Sequence, residues 1–518
     1  MKYILAFALA TGVLSCNSAQ HTTEKQTRDQ GDPVTYAASI TENELREHLY
    51  IYAADSLEGR DTGSQGQKKA VAYLKAQYEE MEIAPALAEE GYFQKVPLEF
   101  ANIPTGGISV NGRSYELGEH MLTFKAAQGG FDELVFVGYG IEEGSYTDYA
   151  DTAVEGKIVL VKSGEPRHED GSFVLSGTEE TSAWGNASNA MEKKMQLAQD
   201  KGAKGILYFD AQNFNRYKRS FQYMKEEGKG RLTIVYPDVD SFFSLFIDDV
   251  LATAILPGIQ EEYRPKTIPT DLNFNIQSKN ETVDSENVVA VLKGSELPNE
   301  YVVISSHLDH IGINSNGEIN NGADDDGSGT VALLEIAEAF KMAERAGHGP
   351  KRSLVFLHVT GEEKGLLGSR YYTDVDPIFP LEQTVANLNI DMIGRIDPKR
   401  QGDRNYIYLI GSDKLSTELH ELSEAINTEY AGLELDYTYN DENDPNRFYY
   451  RSDHYNFAKN NIPIIFYFNG THDDYHRPTD TPDKINYDLL ENRTRLIFHT
   501  AWELANRPAR IQVDDVYK

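Results

Sequence analysis

His307, Asp325, Glu363, Asp391 and His476 offer two imidazoles and three carboxylates from the C-terminal half of a 518-residue chain, with Glu362 standing beside them. Two cations about 3.5–4 Å apart can clamp both oxygens of a displacement and acidify a water, but they concentrate four positive charges that carboxylates must offset. One carboxylate has to bridge the pair, and each ion needs nitrogen or oxygen ligands of its own. The five side chains read as that ligand set for two zinc ions, Asp325 bridging, and Glu362 reads as a general base. The chemistry implied is hydrolysis.

The segments around these residues support the reading. Tyr301 to Ser306 is a short apolar-to-small strand, so His307 falls where a strand ends, a common ligand position in open α/β sheets. Asp309 is close enough to orient the His307 imidazole, since a ligating histidine normally gives its second nitrogen to an oxygen acceptor. GADDDGSG, Gly322 to Gly329, opens a helix whose Leu333, Ile336, Ala337 and Phe340 follow helical spacing. Ser353 to Val359 delivers TGEEKG and Val385 to Ile390 delivers Asp391, so three strand ends converge. Singly, each motif has an ordinary explanation: a solvated His/Asp pair, an aspartate helix cap, a charged surface. Their joint occurrence, each after a strand, is what points to a metal site.

The motifs HLDH, GADDDGSG, GEEKGLLGS, NIDMIGR and YHRPTDT resemble those of the secreted and periplasmic dizinc aminopeptidases of the aminopeptidase Y type, in the zinc exopeptidase superfamily. Position by position, the resemblance implies His307, Asp325, Glu363, Asp391 and His476 as ligands of two Zn2+ per chain. It selects Asp325 among the three aspartates of GADDDGSG, makes Glu362 the base, and assigns Tyr475 to the oxyanion. RSDH, Arg451 to His454, is similar to a segment near the family's pocket and implies support, not ligation. His310, His358 and His472 fit no such pattern and read as structural or surface residues. The implied substrates are peptides cleaved at the amino-terminal bond. A carboxypeptidase of the same fold is the rival, with Arg395, Arg447 and Arg451 as candidates to hold a free carboxylate; a glutaminyl cyclase or a non-catalytic receptor would lack ligands that are present here.

The fold implied is a three-layer α/β/α zinc-exopeptidase domain with a mixed, mainly parallel sheet, formed by residues 39–100 and 285–510. Between them, 101–284 reads as a β-rich insert: ELVFVGYG, GKIVLVKSG and GAKGILYFD, with a helix near Met191 to Lys201, resemble a protease-associated (PA) domain. Its Phe214, Tyr217, Phe221 and Tyr223 fill a core or line an entrance. At the other end of the chain, the apolar run Tyr3 to Leu14 is the length of a signal-peptide core, and VLSC resembles a bacterial lipobox. Residues 1–15 are therefore expected as a signal peptide, Cys16 as the lipidation site, and the polar 16–38 as a tether. The expectation is an exported, periplasmic or outer-membrane-associated lipoprotein, attached peripherally to a membrane through its N-terminal lipid. Cys16 is the only cysteine, which excludes disulfides within the chain. A net charge of −33 argues against nucleic acid, whose binding rests on Lys and Arg neutralising phosphates. The oligomeric state is not legible.

Overall fold

The computed structural model describes residues 31–150, 152–185, 190–226, 230–236 and 242–515. The expected signal peptide, Cys16 and most of the expected tether lie outside the described residues. Among those described, no helix is long and apolar enough to cross a membrane.

The main sheet contains strands β1 (Phe93–Ala101), β2 (Arg231–Ile234), β3 (Glu281–Leu292), β4 (Leu297–His307), β5 (Arg352–Val359), β6 (Thr384–Ile390), β7 (Tyr406–Ile410), β8 (Glu434–Asp436) and β9 (Ile464–Phe468), in the spatial order β2-β1-β3-β5-β4-β6-β9-β7-β8. The four central strands β5, β4, β6 and β9 run parallel, while β1, β2 and β3 on one side and β7 on the other pair antiparallel. The parallel character is thus confined to the middle, where both faces are covered and every residue of β5, β6 and β9 is buried. Helices α1 (Pro33–Ala37), α2 (Glu42–Tyr52), α3 (Gln65–Glu80), α4 (Gly329–Arg345) and α5 (Tyr487–Asn506) contribute to the large core on one face. A smaller cluster around Tyr372, Phe457 and Ile462 covers the other. The outcome is three layers with strand ends aligned for a site.

Two boundaries differ from the sequence expectation. The tether was expected to run to residue 38, but α1 is part of the body: Asp32 caps it, and Tyr36 stacks on Trp502 at 5.6 Å while its hydroxyl meets His348 Nδ1 at 2.6 Å. One buried aromatic and a capped turn suffice to dock a segment that composition marks as polar. The insert was expected to occupy 101–284, between the two parts of the peptidase domain. Instead β1 and β3 continue as a paired ribbon from Val288↔Phe93 out to Glu281↔Phe100, and β2, which comes from within the insert, adds to the outer edge of β1. Leu232 and Ile234 bury against Val96, Leu98 and Leu367, closing an edge that would otherwise be unpaired.

The rest of the insert forms an eight-stranded sheet with its own core. Of its aromatics, Phe214 and Phe221 are buried in that core, whereas Tyr217 and Tyr223 are 49% and 61% exposed and are not among the residues lining the cleft beside the metal centre.

A buried acid in the first layer yields a stability prediction. Glu335 on α4 is 2% exposed, and burial, with the charges of Glu44 and Glu338 adding, pushes its carboxyl up to about 9. His48 Nε2 lies 3.5 Å away, and burial holds that imidazole below its usual value. A carboxyl whose folded value is raised binds its proton more tightly when folded, so its contribution to stability is full below the unfolded value near 4.5 and is lost as pH rises towards 9. Glu335→Gln should remove that loss and stabilise the protein at pH 8 by about 1–3 kcal/mol. Thermal unfolding of both proteins at pH 5 and pH 8 checks it; a variant no more stable than the parent at pH 8 would contradict the assignment.

Candidate metal centre

Strands β4, β5 and β6 end at one edge and carry His307, the Glu362–Glu363 loop and Asp391 to it. The loop before α4 adds the acidic triplet, in which neighbouring side chains do different work. Asp324 accepts from the Gly394 amide at 2.7 Å and from Ser328 Oγ at 3.0 Å, and His472 Nε2 lies 3.1 Å from it. Asp326 accepts from the amides of His307, Gly329 and Met392 at 3.0–3.1 Å. Both outer carboxylates therefore fasten the strand ends together. Asp325 alone faces the site.

Its two oxygens face in different directions. Oδ1 lies 3.1 Å from His307 Nε2, which is also 3.7 Å from Asp391 Oδ1. Oδ2 lies 3.1 Å from His476 Nε2, which is 3.2 Å from Glu363 Oε2. The five residues singled out in the sequence are thus brought together as two groups that share one carboxylate. His307, Asp325 and Asp391 place three donor atoms within 4.8 Å of one another, the compactness one cation needs. Buried His307 Nε2, Asp325 Oδ2 and Glu363 Oε1 make no hydrogen bond despite these close approaches. Orphaned buried donors and acceptors are costly unless something else satisfies them, so the donor set fits two cations.

The electrostatics agree. Burial disfavours charge on His476, yet the carboxylates of Asp325 and Glu363 outweigh it and raise the imidazole to about 10. Burial raises Glu362 well above the ordinary carboxyl range; His307 opposes this, and Asp391 and Glu363 add to it. This pocket concentrates negative charge and is complementary to cations.

Two placements were not anticipated. His310, read as structural or surface, is fully buried, with Nδ1 2.8 Å from Glu363 Oε1 and 3.8 Å from Asp325 Oδ2. It forms a second compact donor group with Asp325 and Glu363. Its place in HLDH was visible, but a one-residue offset from Asp309 gave no sign that the chain would turn it back towards Glu363. Asp309 differs in how it acts. His307 Nδ1 lies 3.0 Å from the Asp309 backbone carbonyl, against 3.9 Å from its carboxylate, which instead accepts from Thr62 Oγ1 at 2.8 Å and from the Glu362 amide at 3.1 Å. The residue steadies both the expected ligand and the expected base, the first through its main chain.

The RSDH segment supports the site as expected. Ser452 Oγ donates to Asp391 Oδ2 at 2.6 Å and accepts from Asn389 Nδ2 at 2.9 Å. His358 is buried between Tyr78 and Ser306, and His472 is held by Asp324, both structural positions. Two buried arginines brace the loops. Arg60 donates to the carbonyls of Leu308, Asn321 and Gly322, and Arg493 to those of Ile393, Arg395 and Tyr406. Tyr475 stacks on His476 at 3.9 Å and lines the cleft beside Glu362; burial keeps its phenol protonated.

That cleft, about 1210 Å³, lies between the insert and the strand ends. A smaller recess formed by Met392, Phe448, Phe466 and Phe468 adjoins Asp325, Glu362 and Asp391. Of the three arginines considered for a carboxylate, Arg395 is 2.9 Å from Asp474, and Arg447 lies over the Tyr450 ring at 4.8 Å; Arg451 alone lines both cavities.

Residues 287–501 match the model of Peptidase family M28 and residues 130–255 match that of the PA domain. The chain thus contains a segment of the peptidase family M28 type and, before it, a PA domain segment. The sequence is 31% identical over 123 residues to a probable glutamate carboxypeptidase of Arabidopsis thaliana, covering 24% of this chain and 17% of that one. It is 29% identical over 238 residues to leupeptin-inactivating enzyme 1 of Streptomyces exfoliatus, covering 42% and 48%. A probable leucine aminopeptidase 2 of Aspergillus oryzae is 37% identical over 118 residues, covering 23% and 21%. The chain spans less than half the length of these curated relatives. Among solved structures, an aminopeptidase from Aneurinibacillus sp. strain AM-1 is similar at 19% identity and a TM-score of 0.46, covering 93% of this chain and 98% of that one.

Proposed function

We propose that this M28 peptidase is an aminopeptidase holding two zinc ions, one among His307, Asp391 and Asp325 and the other among His476, Glu363 and the same Asp325. The observation that carries the reading is the division of the Asp325 oxygens between two ligand groups. Bound there, zinc would supply Lewis acidity for the scissile carbonyl and lower the pKa of the attacking water. Glu362 takes the proton from that water and returns it to the leaving amine. Tyr475 donates a hydrogen bond from its phenol to the oxyanion, an interaction of about 3–4 kcal/mol where such donors are preorganised.

Of the arginines that could hold a free carboxylate, Arg395 is paired with Asp474 and Arg447 lies over the Tyr450 ring, which favours the aminopeptidase over a carboxypeptidase. Zinc content measured on the purified protein should approach two per chain. Chelation should abolish hydrolysis of an aminoacyl anilide, and N-acetylation of that substrate should block its cleavage. Equal turnover of the blocked and free compounds would defeat the reading.

The proposed setting is outside the cytoplasm, with Cys16 lipidated after cleavage of the leader; a lone cysteine closing an apolar run supports it. Radiolabelled palmitate should enter the protein in a bacterial host and fail to enter Cys16→Ala. Equal label in both would place the modification elsewhere.

A further inference from the structure

The cleft that contains the proposed metal centre has a second wall built by the PA domain. Beside Glu362 and Glu363 its lining includes Lys125 and Arg231 from the insert and Arg370, Arg451 and Lys459 from the M28 segment, and Arg451 also borders the recess next to Asp325 and Asp391. This is a concentration of cations on a chain whose net charge is −33. Two of them are engaged: Lys459 pairs with Asp374, and Arg370 donates to the Gly365 carbonyl at 2.8 Å. Among the described residues, Lys125, Arg231 and Arg451 have no acidic partner within ion-pair distance; Arg451 lies over the Phe448 ring at 5.0 Å. Besides Glu362 and Glu363, two acids share the lining: Asp374, already paired, and Glu192.

Arg231 is the informative member. It begins β2, the strand that the insert adds to the M28 sheet, so its position is fixed by main-chain pairing, Arg231↔Ala101, and not by a loose loop. From there its guanidinium reaches the catalytic loop: Nη2 comes within 3.7 Å of where a Cβ on Gly365 would stand. Gly365 is two residues from Glu363, a separation of at most about 7 Å, so the guanidinium lies on the order of 10 Å from the metal centre, roughly the span of three extended residues. Lys125 stands exposed on the insert's wall of the same cleft.

We infer that Arg231 forms a subsite for the terminal carboxylate of a short peptide whose free amine lies at the metal centre. The inference rests on the aminopeptidase reading and adds a length limit: the PA domain makes the enzyme prefer peptides of about two to four residues, because only these span the distance between the metal centre and Arg231. A planar guanidinium held by a strand suits a carboxylate, which it can engage through two parallel hydrogen bonds.

The test measures binding, so it does not depend on turnover. Zinc-loaded Glu362→Gln protein is titrated calorimetrically with Leu-Gly-Gly, its C-terminal amide, and its N-acetylated form. The free acid should bind about 10–100-fold more tightly than the amide, the range for charge-assisted hydrogen bonds. Adding Arg231→Met should bring that ratio to within about threefold of unity, Arg231→Lys should restore part of it, and Lys125→Met should reduce it less. Equal affinity for acid and amide in the parent, or a ratio that survives Arg231→Met, would overturn the subsite. The N-acetylated peptide separates the two levels: if it binds as tightly as the free amine, the aminopeptidase reading fails while the acid-to-amide ratio still decides the role of Arg231.

Discussion

Glutamine in place of Glu362 should lower kcat for peptide hydrolysis by about 10²–10⁴-fold, the range for loss of a general base, while zinc content and KM change little. The geometry separates this carboxylate from the ligands around it. Glu363 is drawn to His310 and His476, at 2.8 and 3.2 Å, whereas the nearest imidazole to Glu362 is His307, whose Nε2 is 4.0 Å from Oε2. Glu362 belongs to neither compact donor group. Its main chain is pinned by the Asp309 carboxylate at 3.1 Å, and its side chain, 11% exposed, lines the cleft with Tyr475. A group so placed can reach the attacking water without being consumed as a ligand. Glutamine keeps the shape and cannot accept the proton, so stopped-flow hydrolysis alongside metal analysis gives a clear reading. Retention of a tenth or more of wild-type kcat, or loss of a zinc ion, would move Glu362 out of this role.

What the sequence reveals about this site depends on how far each signal travels along the chain. The strands were legible because their apolar runs are short and end at the motifs; β4, β5 and β6 lie where Tyr301, Ser353 and Val385 begin their hydrophobic stretches. The ligand types were legible because few structures other than a metal site need two histidines and three acids after successive strands. The bracing was hidden. The resemblance singles out Asp325, but nothing in DDD says that its neighbours fasten amides; that role appears only when His307, Gly329 and Met392, from three separate segments, turn their amides towards Asp326. His310 was missed for a related reason, since its partner Glu363 comes from the next strand in space and not from its own motif. Arg60 and Arg493 serve backbone carbonyls, and a carbonyl leaves no mark in a sequence. The short strand β2 was invisible because four residues with two buried apolar side chains carry no periodicity long enough to read.

The aspartate triplet allows the sharpest separation of chemistry from scaffolding. Asp325→Asn should reduce bound zinc from about two per chain to one or fewer and lower kcat by at least about 10³-fold, because an amide turns an N–H towards one cation while leaving a single neutral oxygen for the other. Its fold should survive, since the Asp325 side chain accepts no backbone amide. Asp326→Asn should behave in the opposite way. Its carboxylate takes three buried amides at once, and an asparagine carries only one oxygen to accept them while presenting its own N–H groups to the remaining donors. Leaving a buried donor unsatisfied costs about 1–3 kcal/mol, so this variant should unfold at lower temperature even before its zinc is counted. Calorimetric unfolding and metal analysis on both proteins distinguish the roles. If Asp325→Asn keeps two zinc ions, the shared carboxylate is not the bridge; if Asp326→Asn keeps its stability, the amides it gathers are held by something other than charge.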